Sequence, residues 1–251
     1  MSQYQTNLVR TLEELSLNAL PCLQQILNDG WVLRFAEGFT KRANSVTPLY
    51  PGYDNLEVKI SRCEAAYRRL DLQPIFRLAD TPQNAAIDLT LERLGYLKQD
   101  SVSVRLREIG DRNLDRACDV TIESELSTSW LDGYVHGANL PSQYWDTIST
   151  MLEIIPHPTC YASVKDRHRF CSWGLGVLER DYLGIFFLVT TRKQRRRGYA
   201  SQLVNEMMHW GSLNGATKVY LQVETANHVG IDLYNKLKFR EIYQYFYRLK
   251  P

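Results

Sequence analysis

The sequence predicts an α/β (α+β) fold in which helices flank a mixed central sheet. Short apolar runs of strand length alternate with longer segments of helical periodicity along the 251 residues. Strands and helices interleave most clearly in the second half of the chain. A helix that follows an apolar strand and ends in an aromatic residue occurs once in each half. A repeat spaced by about half the chain predicts two similar domains in tandem.

The first half is predicted to contain three helices and four strands. Thr81 followed by Pro82 is a typical start for the third helix, and Gly95 is a typical stop. In chain order the expected elements are a helix over Thr11–Asn28, strands over Gly30–Ala36 and Phe39–Val46 that form a hairpin around Glu37 and Gly38, a helix over Leu56–Leu70, a strand over Gln73–Leu78, the helix ending at Leu94, and a strand over Ser101–Leu106.

The charged stretch Arg107–Asn113 is the expected linker, which places two domains at residues 1–106 and 107–251. Strands and helices are then expected to alternate to the end of the chain. In order they are helices over Leu114–Leu126 and Pro141–Ile154 with breaks at Gly133 and Gly137, strands over Cys160–Lys165, Phe170–Leu178 and Leu183–Thr190, a helix over Tyr199–Leu213, a strand over Lys218–Glu224, a helix over Val229–Leu237, and a strand over Tyr243–Leu249.

Composition and charge exclude several classes of protein. The chain is 44% hydrophobic and 23% charged, as in ordinary globular proteins. Its net charge of +2 gives no overall field that would attract nucleic acid or an anionic membrane. It has no run of about 18 apolar residues and no signal-peptide pattern at the N-terminus. Five widely spaced cysteines without a CxxC pair argue against a disulfide framework and a zinc site, so a reduced, cytoplasmic protein is expected.

The strongest functional signal is the strand–turn–helix segment over Gly184–Val204. An apolar strand leads into a basic turn with Arg195, Arg196 and Arg197, and Gly198 then precedes an amphipathic helix. Backbone N–H groups at a helix N-terminus, surrounded by guanidinium groups, suit an anion such as a pyrophosphate. The segment has neither the GxxxxGK[ST] motif of P-loop proteins nor the GxGxxG motif of Rossmann folds.

The spacing Arg195-x-x-Gly198-x-Ala200 resembles the acyl-CoA-binding signature of the GNAT N-acetyltransferases, Q/R-x-x-G-x-G/A. The resemblance implies a GNAT fold with acetyl-CoA as acyl donor. In that family the strand before the loop receives the thioester and pantetheine, and the loop with the helix start holds the pyrophosphate. Arg192 stands where many members carry proline, which is a difference in the turn. The implied contacts are Leu188, Val189 and Thr190 on the strand, and Arg195, Arg196, Arg197, Gly198, Tyr199, Ala200 and Ser201 after it.

A second motif follows the next strand and resembles the family's N-x-x-A-x-x-L-Y-x-x-x-G-F helix. The resemblance implies that Asn227 hydrogen-bonds the pantetheine arm and that Tyr234 stands beside the CoA sulfur. Lys238 replaces the usual glycine before Phe239, which concerns how the helix ends. Both motifs occur in the family's order, and the resemblance covers about residues 105–251. The matching residues are Asn227, Gly230, Leu233, Tyr234, Leu237 and Phe239.

Acetyl transfer from a thioester to an amine determines which groups the site must supply. The amine attacks in its neutral form, so a base must remove its proton, and an N–H group of Leu188–Thr190 can stabilise the oxyanion. Tyr234 is the predicted general acid for the leaving thiolate. Glu224 and Glu179 both remain candidates for the base. The aromatic residues that would either line the acceptor pocket or pack in the core are Trp130, Tyr134 and Trp145.

The first half lacks both motifs. It contains no Arg-x-x-Gly-x-Ala loop after any strand. Asn84 and Leu91 have the same spacing as Asn227 and Tyr234, so leucine takes the place of the phenol. The first half is therefore expected to be a degenerate GNAT-like domain that neither binds CoA in the usual way nor catalyses.

The expected activity is acetyl transfer from acetyl-CoA to a small-molecule amine or peptide amine through a direct ternary complex, without a metal. A non-catalytic acyl-CoA-binding sensor is the alternative, and the intact Tyr234 argues against it. Nucleic-acid binding by Lys193–Arg197 is disfavoured because the net charge is small and no aromatic residues interleave with the cations. No membrane partner is expected, and the chain is expected to be a monomer or a homodimer.

Overall fold

The computed structural model describes residues 2–110, 120–167 and 169–251, which fall into two units. The first unit takes the chain up to Val104 together with two later segments, Val223–Asn227 and Glu241–Pro251. The second unit takes Arg105–Gln222 and His228–Arg240. Two segments that come late in the sequence therefore group with the first unit.

The described residues form seven α-helices and eleven strands, joined by turns and short 3-10 segments. In chain order they are α1 (Gln3–Ala19), β1 (Gln24–Asn28), β2 (Trp31–Phe35), β3 (Val46–Pro48), α2 (Leu56–Arg68), β4 (Ile75–Ala79), α3 (Ala85–Arg93), β5 (Leu97–Glu108), β6 (Val120–Glu123), α4 (Thr128–Gly137), α5 (Trp145–Glu153), β7 (Thr159–Asp166), β8 (Arg169–Glu179), β9 (Tyr182–Thr190), α6 (Tyr199–Leu213), β10 (Lys218–Glu224), α7 (His228–Lys236) and β11 (Arg240–Leu249).

In the first unit, β1, β2, β3, β4 and β11 are neighbours in that order. The pairs β1–β2, β2–β3 and β4–β11 are antiparallel, and β3–β4 is parallel. Side chains of α2 and α3 share a buried core with the strands, including Trp31, Tyr67, Phe76 and Leu91. Phe246 of β11 belongs to the same core, so the last strand of the chain completes the first unit.

In the second unit, β10, β9, β8, β7 and β6 are neighbours in that order. The pair β9–β10 is parallel and the other pairs are antiparallel. Helix α6 packs on β7, β8 and β9, and α4 packs on β8 and β9. The buried side chains of α6 are mainly apolar, with Leu203, Val204, Met207 and Met208 almost fully buried. Both units confirm the predicted mixed sheet flanked by helices.

Two predicted elements of the first half are wrong. The expected helix over Thr11–Asn28 is α1 followed by strand β1, because Ser2 caps the helix early and Leu20 precedes Pro21, where helices end. The expected strand over Phe39–Val46 is mostly a loop, and only Val46 is in β3. The Asn44 side chain holds that loop, because its Oδ1 accepts from the N–H groups of residues 36 and 38 and its Nδ2 donates to the carbonyls of residues 36, 39 and 40.

The region after residue 106 also differs from the prediction. Strand β5 continues to Glu108, which lies in the expected linker. Residues 111–119 lie outside the described residues; they include the end of that linker and the first part of the helix expected over Leu114–Leu126. Its later part is strand β6. Helix α4 runs through Gly133 to Gly137, where breaks were expected. A Cβ at Gly133 would lie 2.4 Å from the Trp173 indole nitrogen, so the glycine allows the helix to pack on that ring.

Helices α3 and α7 end in the same way, which supports the repeat seen in the sequence. The N–H of Tyr96 donates to Leu91 O at 3.0 Å, and the N–H of Phe239 donates to Tyr234 O at 2.9 Å. The residue before each aromatic has a left-handed backbone and donates three residues back. This is the Schellman motif. Each helix also follows a turn in which an asparagine N–H, of residue 84 or 227, donates to a carbonyl three residues earlier.

Three observations bear on membranes, cysteines and metals. In the part of the chain that the structure describes, no helix is long and apolar enough to cross a membrane. Cys22, Cys63, Cys160 and Cys171 are free thiols, and Cys118 lies outside the described residues. Over residues 2–110, 120–167 and 169–251, no cluster of three His, Cys, Asp or Glu side chains could hold a metal ion.

Candidate active site

Strands β9 and β10 separate beyond Ile185. Their parallel pairing runs from Tyr182 opposite Lys218 to Ile185 opposite Leu221, whereas β9 continues to Thr190. Backbone N–H and C=O groups of a strand that extends past its paired neighbour can pair with another extended group. Residues 186–190 are therefore suited to bind an extended ligand along the backbone.

A β-bulge lies in β9 just after this point. The register with β8 shifts by one residue opposite Gly174, so Phe187 and Leu188 form the bulge. Phe187 has a φ of +51°, a left-handed conformation that is rare for a bulky residue. Its ring packs edge-on against Tyr134 of α4, with 5.2 Å between ring centres. The bulge interrupts the β8–β9 ladder at Leu188, the first of the three residues predicted to contact the thioester and pantetheine.

The end of β9 is held by a buried hydroxyl of β8. Ser172 Oγ lies 2.8 Å from Val189 O and donates to it, and it lies 2.8 Å from Thr190 Oγ1. Because its own hydrogen goes to the carbonyl, Ser172 Oγ accepts from Thr190. The two contacts orient the last residues of the strand after the bulge has broken the regular pairing.

The basic turn folds back on the strand that precedes it. Thr191 N donates to Cys171 O at 2.9 Å, and Gln194 N donates to Thr191 O at 2.9 Å. Arg195 Nε donates to Thr190 O at 3.2 Å. Arg196 has a φ of +66° and its side chain is exposed. The turn thus places two arginines next to the open end of β9.

Helix α6 begins at Gly198 with an open space in front of it. Gly198 has a φ of +85°, and the first helical bond runs from Gln202 N to Gly198 O at 3.0 Å. Apart from Gly198 itself and its two chain neighbours, no heavy atom among the described residues lies within 4 Å of the position a Cβ would take there. The N–H groups of Tyr199, Ala200 and Ser201 belong to the first turn, where intrahelical acceptors are missing by geometry. This arrangement can receive a phosphate group.

Asp166 interacts with three groups near the helix start, which are Arg197, Tyr199 and Cys171. Its Oδ2 lies 3.3 Å from Nη1 of Arg197. Burial and the Asp166 carboxylate both raise the pKa of Tyr199, and the same two causes raise the pKa of Cys171. Arg197 is therefore oriented by an ion pair, unlike Arg195, which is bonded to the strand.

The helix that carries Tyr234 is fixed at its C-terminal end. Tyr234 is 8% exposed, and its ring centre lies 5.9 Å from that of Phe239. Arg105 Nη2 donates to Phe239 O at 3.1 Å, and Arg107 Nη1 donates to Leu237 O at 2.8 Å. These guanidinium groups satisfy carbonyls at the end of α7, as cations do at helix C-termini.

Glu224 and Asn227 lie on the surface between β10 and α7. Glu224 is the last residue of β10, and Asn227 N donates to Glu224 O at 2.9 Å. Both residues are exposed. They belong to the segment Val223–Asn227, which groups with the first unit. Their action together with Tyr234 stays a prediction.

The other candidate base, Glu179, lies at the wrong end of β9. It faces Tyr182, eight residues before Thr190, which corresponds to about 26 Å along an extended strand. Its carboxylate lies 3.4 Å from Nε2 of His157. Glu179 therefore lies far along the strand from Leu188–Thr190, the residues predicted to receive the thioester.

Two of the three predicted acceptor-pocket aromatics have mainly structural contacts. Trp130 is 1% exposed, and its indole nitrogen donates to Ala162 O at 2.9 Å. Trp145 Nε1 donates to Leu140 O at 3.0 Å. Tyr134 differs because it contacts the bulge residue Phe187 directly. Of the three, Tyr134 is the residue that the structure brings next to β9.

Sequence reasoning missed Ser172, Asp166 and Phe187. The roles of Ser172 and Asp166 depend on which residues face each other between strands and on how the β7–β8 hairpin folds. An isolated serine or aspartate carries no such signal. The bulge at Phe187 requires one residue more on β9 than on β8, which apolar patterning does not show.

A parallel strand pair that separates just before a bulge, followed by an Arg-x-x-Gly-x-Ala turn at a helix start, defines an acetyltransferase of the GNAT class. The chain belongs to the family described as "Probable histone acetyltransferase Rv0428c C-terminal", whose model matches residues 6–164, and residues 122–239 match the "Acetyltransferase (GNAT) family" model.

Two relatives extend over most of the chain. The "Uncharacterized N-acetyltransferase YobR" of Bacillus subtilis is 26% identical over 249 residues, which cover 96% of this chain and 98% of the relative. The "Probable histone acetyltransferase Rv0428c" of Mycobacterium tuberculosis is 27% identical over 229 residues, which cover 89% of this chain and 69% of that protein. These relatives support acetyltransferase activity.

Solved structures share the fold at low identity. A GCN5-related N-acetyltransferase from Kribbella flavida has a TM-score of 0.72 at 14% identity, covering 96% of this chain and 95% of its own. A tandem GNAT protein from the clavulanic acid biosynthesis pathway has a TM-score of 0.60 at 8% identity, covering 81% and 74%. The GNAT fold class is thus confirmed, and one of these two structures is of a tandem GNAT protein.

Proposed function

We propose that this enzyme transfers the acetyl group of acetyl-CoA to a primary amine, of a small molecule or a peptide, in a direct ternary complex. The observation that carries the proposal is the open start of α6 at Gly198 beside the separated end of β9. A helix N-terminus attracts the pyrophosphate, and the unpaired edge of a strand attracts the pantetheine amides.

The proposed contacts are given in order along acetyl-CoA, from the thioester to the pyrophosphate. The backbone of Leu188, Val189 and Thr190 pairs with the pantetheine arm and the thioester. Asn227 supports the arm from the turn after β10. The pyrophosphate binds the basic turn and the first turn of α6, through Arg195, Arg196, Arg197, Gly198, Tyr199, Ala200 and Ser201.

The proposed reaction has one tetrahedral intermediate. The neutral amine attacks the thioester carbon, a C–N bond forms, and an N–H group of Leu188–Thr190 stabilises the oxyanion. When the intermediate collapses the C–S bond breaks, and Tyr234 donates its phenolic proton to the thiolate. Glu224 accepts the proton that the amine loses, through water.

In this proposal residues 107–251 form the catalytic domain, and residues 1–106 form a degenerate GNAT-like domain without catalytic activity. Leu91 takes the place of the phenolic acid in the first half. Asn55 also caps α2, since its Oδ1 accepts from the N–H groups of Glu57 and Val58. The Asn55 side chain thereby binds backbone N–H groups at the start of α2. At the start of α6 no side chain among the described residues caps the helix, so its N–H groups can bind a ligand.

The test compares Gly198→Glu with Gly215→Glu. Both glycines have a positive φ and open space around them, at the two ends of α6, so both variants carry a similar backbone cost. Gly198→Glu places a carboxylate where the phosphates belong and is expected to weaken acetyl-CoA binding at least roughly 100-fold. Calorimetry measures the affinity of each folded variant.

Gly215→Glu should bind acetyl-CoA like the wild type. Equal acetyl-CoA affinities for both variants would show that the loop at Gly198 does not bind acetyl-CoA. Thiol release across a panel of amines then tests transfer. Binding of acetyl-CoA without release for any amine would favour the sensor function instead.

A further inference from the structure

A cavity of about 410 Å³ lies within the first unit. Pro48 and Ala79, the last residues of the parallel strands β3 and β4, line it, and the first residues of α2 and the turn before α3 do so as well. In α/β sheets, ligands bind at the carboxyl ends of parallel strands, where helix N-termini add a positive potential. The position therefore favours a small ligand.

A buried ammonium group lies in the wall of this cavity. The side chain of Lys59 is 2% exposed, and its Nζ is 4.4 Å from the ring centre of Trp31. The ammonium donates to Asp29 O and, at 3.0 Å, to Asp29 Oδ2. An ammonium has three N–H donors, and among the described residues the structure records no third acceptor for this one. One donor of a buried cation is thus left for a ligand.

The loop over Leu49–Asp54 fixes this lysine in place. Asp29 accepts from the N–H groups of Tyr53 and Asp54, and these bonds, with the Lys59 ammonium, lower the pKa of Asp29 to about 2. A Cβ at Gly52 would lie 2.3 Å from Lys59 Nζ and 2.1 Å from Asp29 Oδ2, so the loop can approach the pair only with glycine. The ion pair is preorganised.

The carboxylates in the cavity wall already have cationic partners. Glu13 accepts from Arg77 Nη2 at 2.8 Å, and Asp54 accepts from Arg62. Arg10 also lines the cavity, where its exposed guanidinium lies 5.4 Å from the ring centre of Tyr50. Lys59 is likewise paired with Asp29, whereas the structure gives Arg10 no ion pair among the described residues, so the unpaired charge of the wall is cationic.

The rest of the wall is mainly apolar. Val9, Trp31, Leu56 and Ile87 contribute side chains from α1, β2, α2 and α3. A phosphate or a polyanion would need more cationic groups than Lys59 and Arg10 provide. One charged end and an apolar body match this wall, as in most small-ligand sites.

We infer that the first unit binds a small organic monocarboxylate, whose carboxylate accepts from Lys59 and Arg10 and whose aromatic or aliphatic body packs against Trp31. This site is separate from the proposed acetyl-CoA contacts, and the inference does not depend on the acceptor of the acetyl group. It gives the non-catalytic half of the chain a ligand of its own.

The experiment titrates the full chain with phenylacetate, phenethyl alcohol and phenethylamine by calorimetry. These probes share one body and differ in the charged end. Phenylacetate is expected to bind at least roughly ten-fold more tightly than the alcohol, with no detectable binding of the amine, because a charge-assisted hydrogen bond is lost in each comparison. Equal binding of acid and alcohol, or binding of inorganic phosphate in place of phenylacetate, would overturn the inference.

Variants locate the probe. Lys59→Met is expected to weaken phenylacetate roughly 10- to 100-fold, and Arg10→Gln, at an exposed position, roughly two- to five-fold. Arg68→Gln, an exposed arginine of α2 outside the cavity wall, should change nothing. If Lys59→Met does not fold, the comparison of Arg10→Gln with Arg68→Gln still shows whether phenylacetate binds in the cavity. Phenylacetate that is displaced by CoA and insensitive to Arg10→Gln would place binding elsewhere and refute the site.

Discussion

Phe187 and Arg196 adopt left-handed backbone conformations on either side of the end of β9. Each such conformation costs an L-residue about 1–2 kcal/mol. Phe187 is held there by its contact with Tyr134, and Arg196 by the turn that precedes Gly198. Strain of this kind at the open strand end agrees with a site whose backbone is arranged for a ligand.

Tyr234→Phe is the decisive substitution for the proposed chemistry. The ring and its contact with Phe239 are kept, and only the phenolic proton is lost. The value of kcat is expected to fall roughly 10²–10⁴-fold while acetyl-CoA affinity holds within a few-fold, because general acid catalysis acts after binding. Steady-state kinetics with an accepted amine, under conditions where chemistry limits the rate, measure both quantities.

Tyr182→Phe is the matched control, because Tyr182 lies at the opposite end of β9 from Thr190. It should leave kcat unchanged. In the first half, Leu91→Tyr should create no activity, since that half lacks the loop. A Tyr234→Phe enzyme with wild-type kcat would refute the assignment of the general acid.

The residues of the site were only partly predictable from sequence. The loop from Arg195 to Ser201 is contiguous, so its motif is visible in the chain. Ser172 and Asp166 act through partners that are 17 or more residues away, and the contacts exist only in the folded register. The sequence also could not show that Glu179 faces Tyr182, away from Thr190, because that depends on the register of the β8–β9 hairpin.

At the scale of elements, α3 and α7 differ at one informative position. Gly95 follows α3 with a φ of +84°, and Lys238 follows α7 with a φ of +65° in the same hydrogen-bonded motif. Glycine adopts this conformation without the Cβ penalty, although it loses more backbone entropy on folding. The lysine is therefore the weaker cap, and Arg105 and Arg107 add hydrogen bonds at the end of α7.

Lys238→Gly is expected to stabilise the protein by about 0.5–1 kcal/mol, which is the left-handed penalty less the entropy cost of glycine. Gly95→Lys is expected to destabilise it by a similar amount, because a side chain at Gly95 meets open space and only the backbone term changes. Urea unfolding of both variants measures the difference. A loss of stability in Lys238→Gly, or no change in Gly95→Lys, would contradict this account.

Elements with local signals were the ones that sequence predicted well. Strands β7 to β10 are apolar runs bounded by turn residues, and α6 lies between Gly198 and Gly215, so their predicted ends agree with the structure within two residues. The strand predicted over Phe39–Val46 is wrong because hydrogen bonds of the Asn44 side chain hold this segment as a loop. The breaks predicted at Gly133 and Gly137 are wrong because these glycines allow α4 to pack on Trp173, and no local sequence pattern reveals that contact.

For the whole molecule, one equivalent of acetyl-CoA per chain is expected to bind. The Arg-x-x-Gly-x-Ala loop occurs once in the sequence. In the first half α2 lies between the parallel strands β3 and β4, as α6 lies between β9 and β10, and α2 is capped by Asn55. Calorimetry of the full chain measures the stoichiometry, and Gly198→Glu should remove the single site. Two equivalent sites would show that the first half is not degenerate.

The sequence predicts a tandem organisation because one helix pattern recurs in each half, and the structure does divide into two units. The grouping of Val223–Asn227 and Glu241–Pro251 with the first unit was not predictable, since their partners lie far away in sequence. Tyr245, for example, faces Ala79 across the β4–β11 pair. Local periodicity identifies a strand but not the neighbour it will choose.

That pairing reverses the usual order of assembly during protein synthesis. Residues 79 and 245 are separated by 166 positions, which a ribosome needs roughly 10–30 s to translate. Until Phe246 has left the exit tunnel, the first unit lacks a member of its own core. The segment made first is therefore among the last to be completed, and in the meantime the strand edge that awaits β11 must be kept from pairing with other chains.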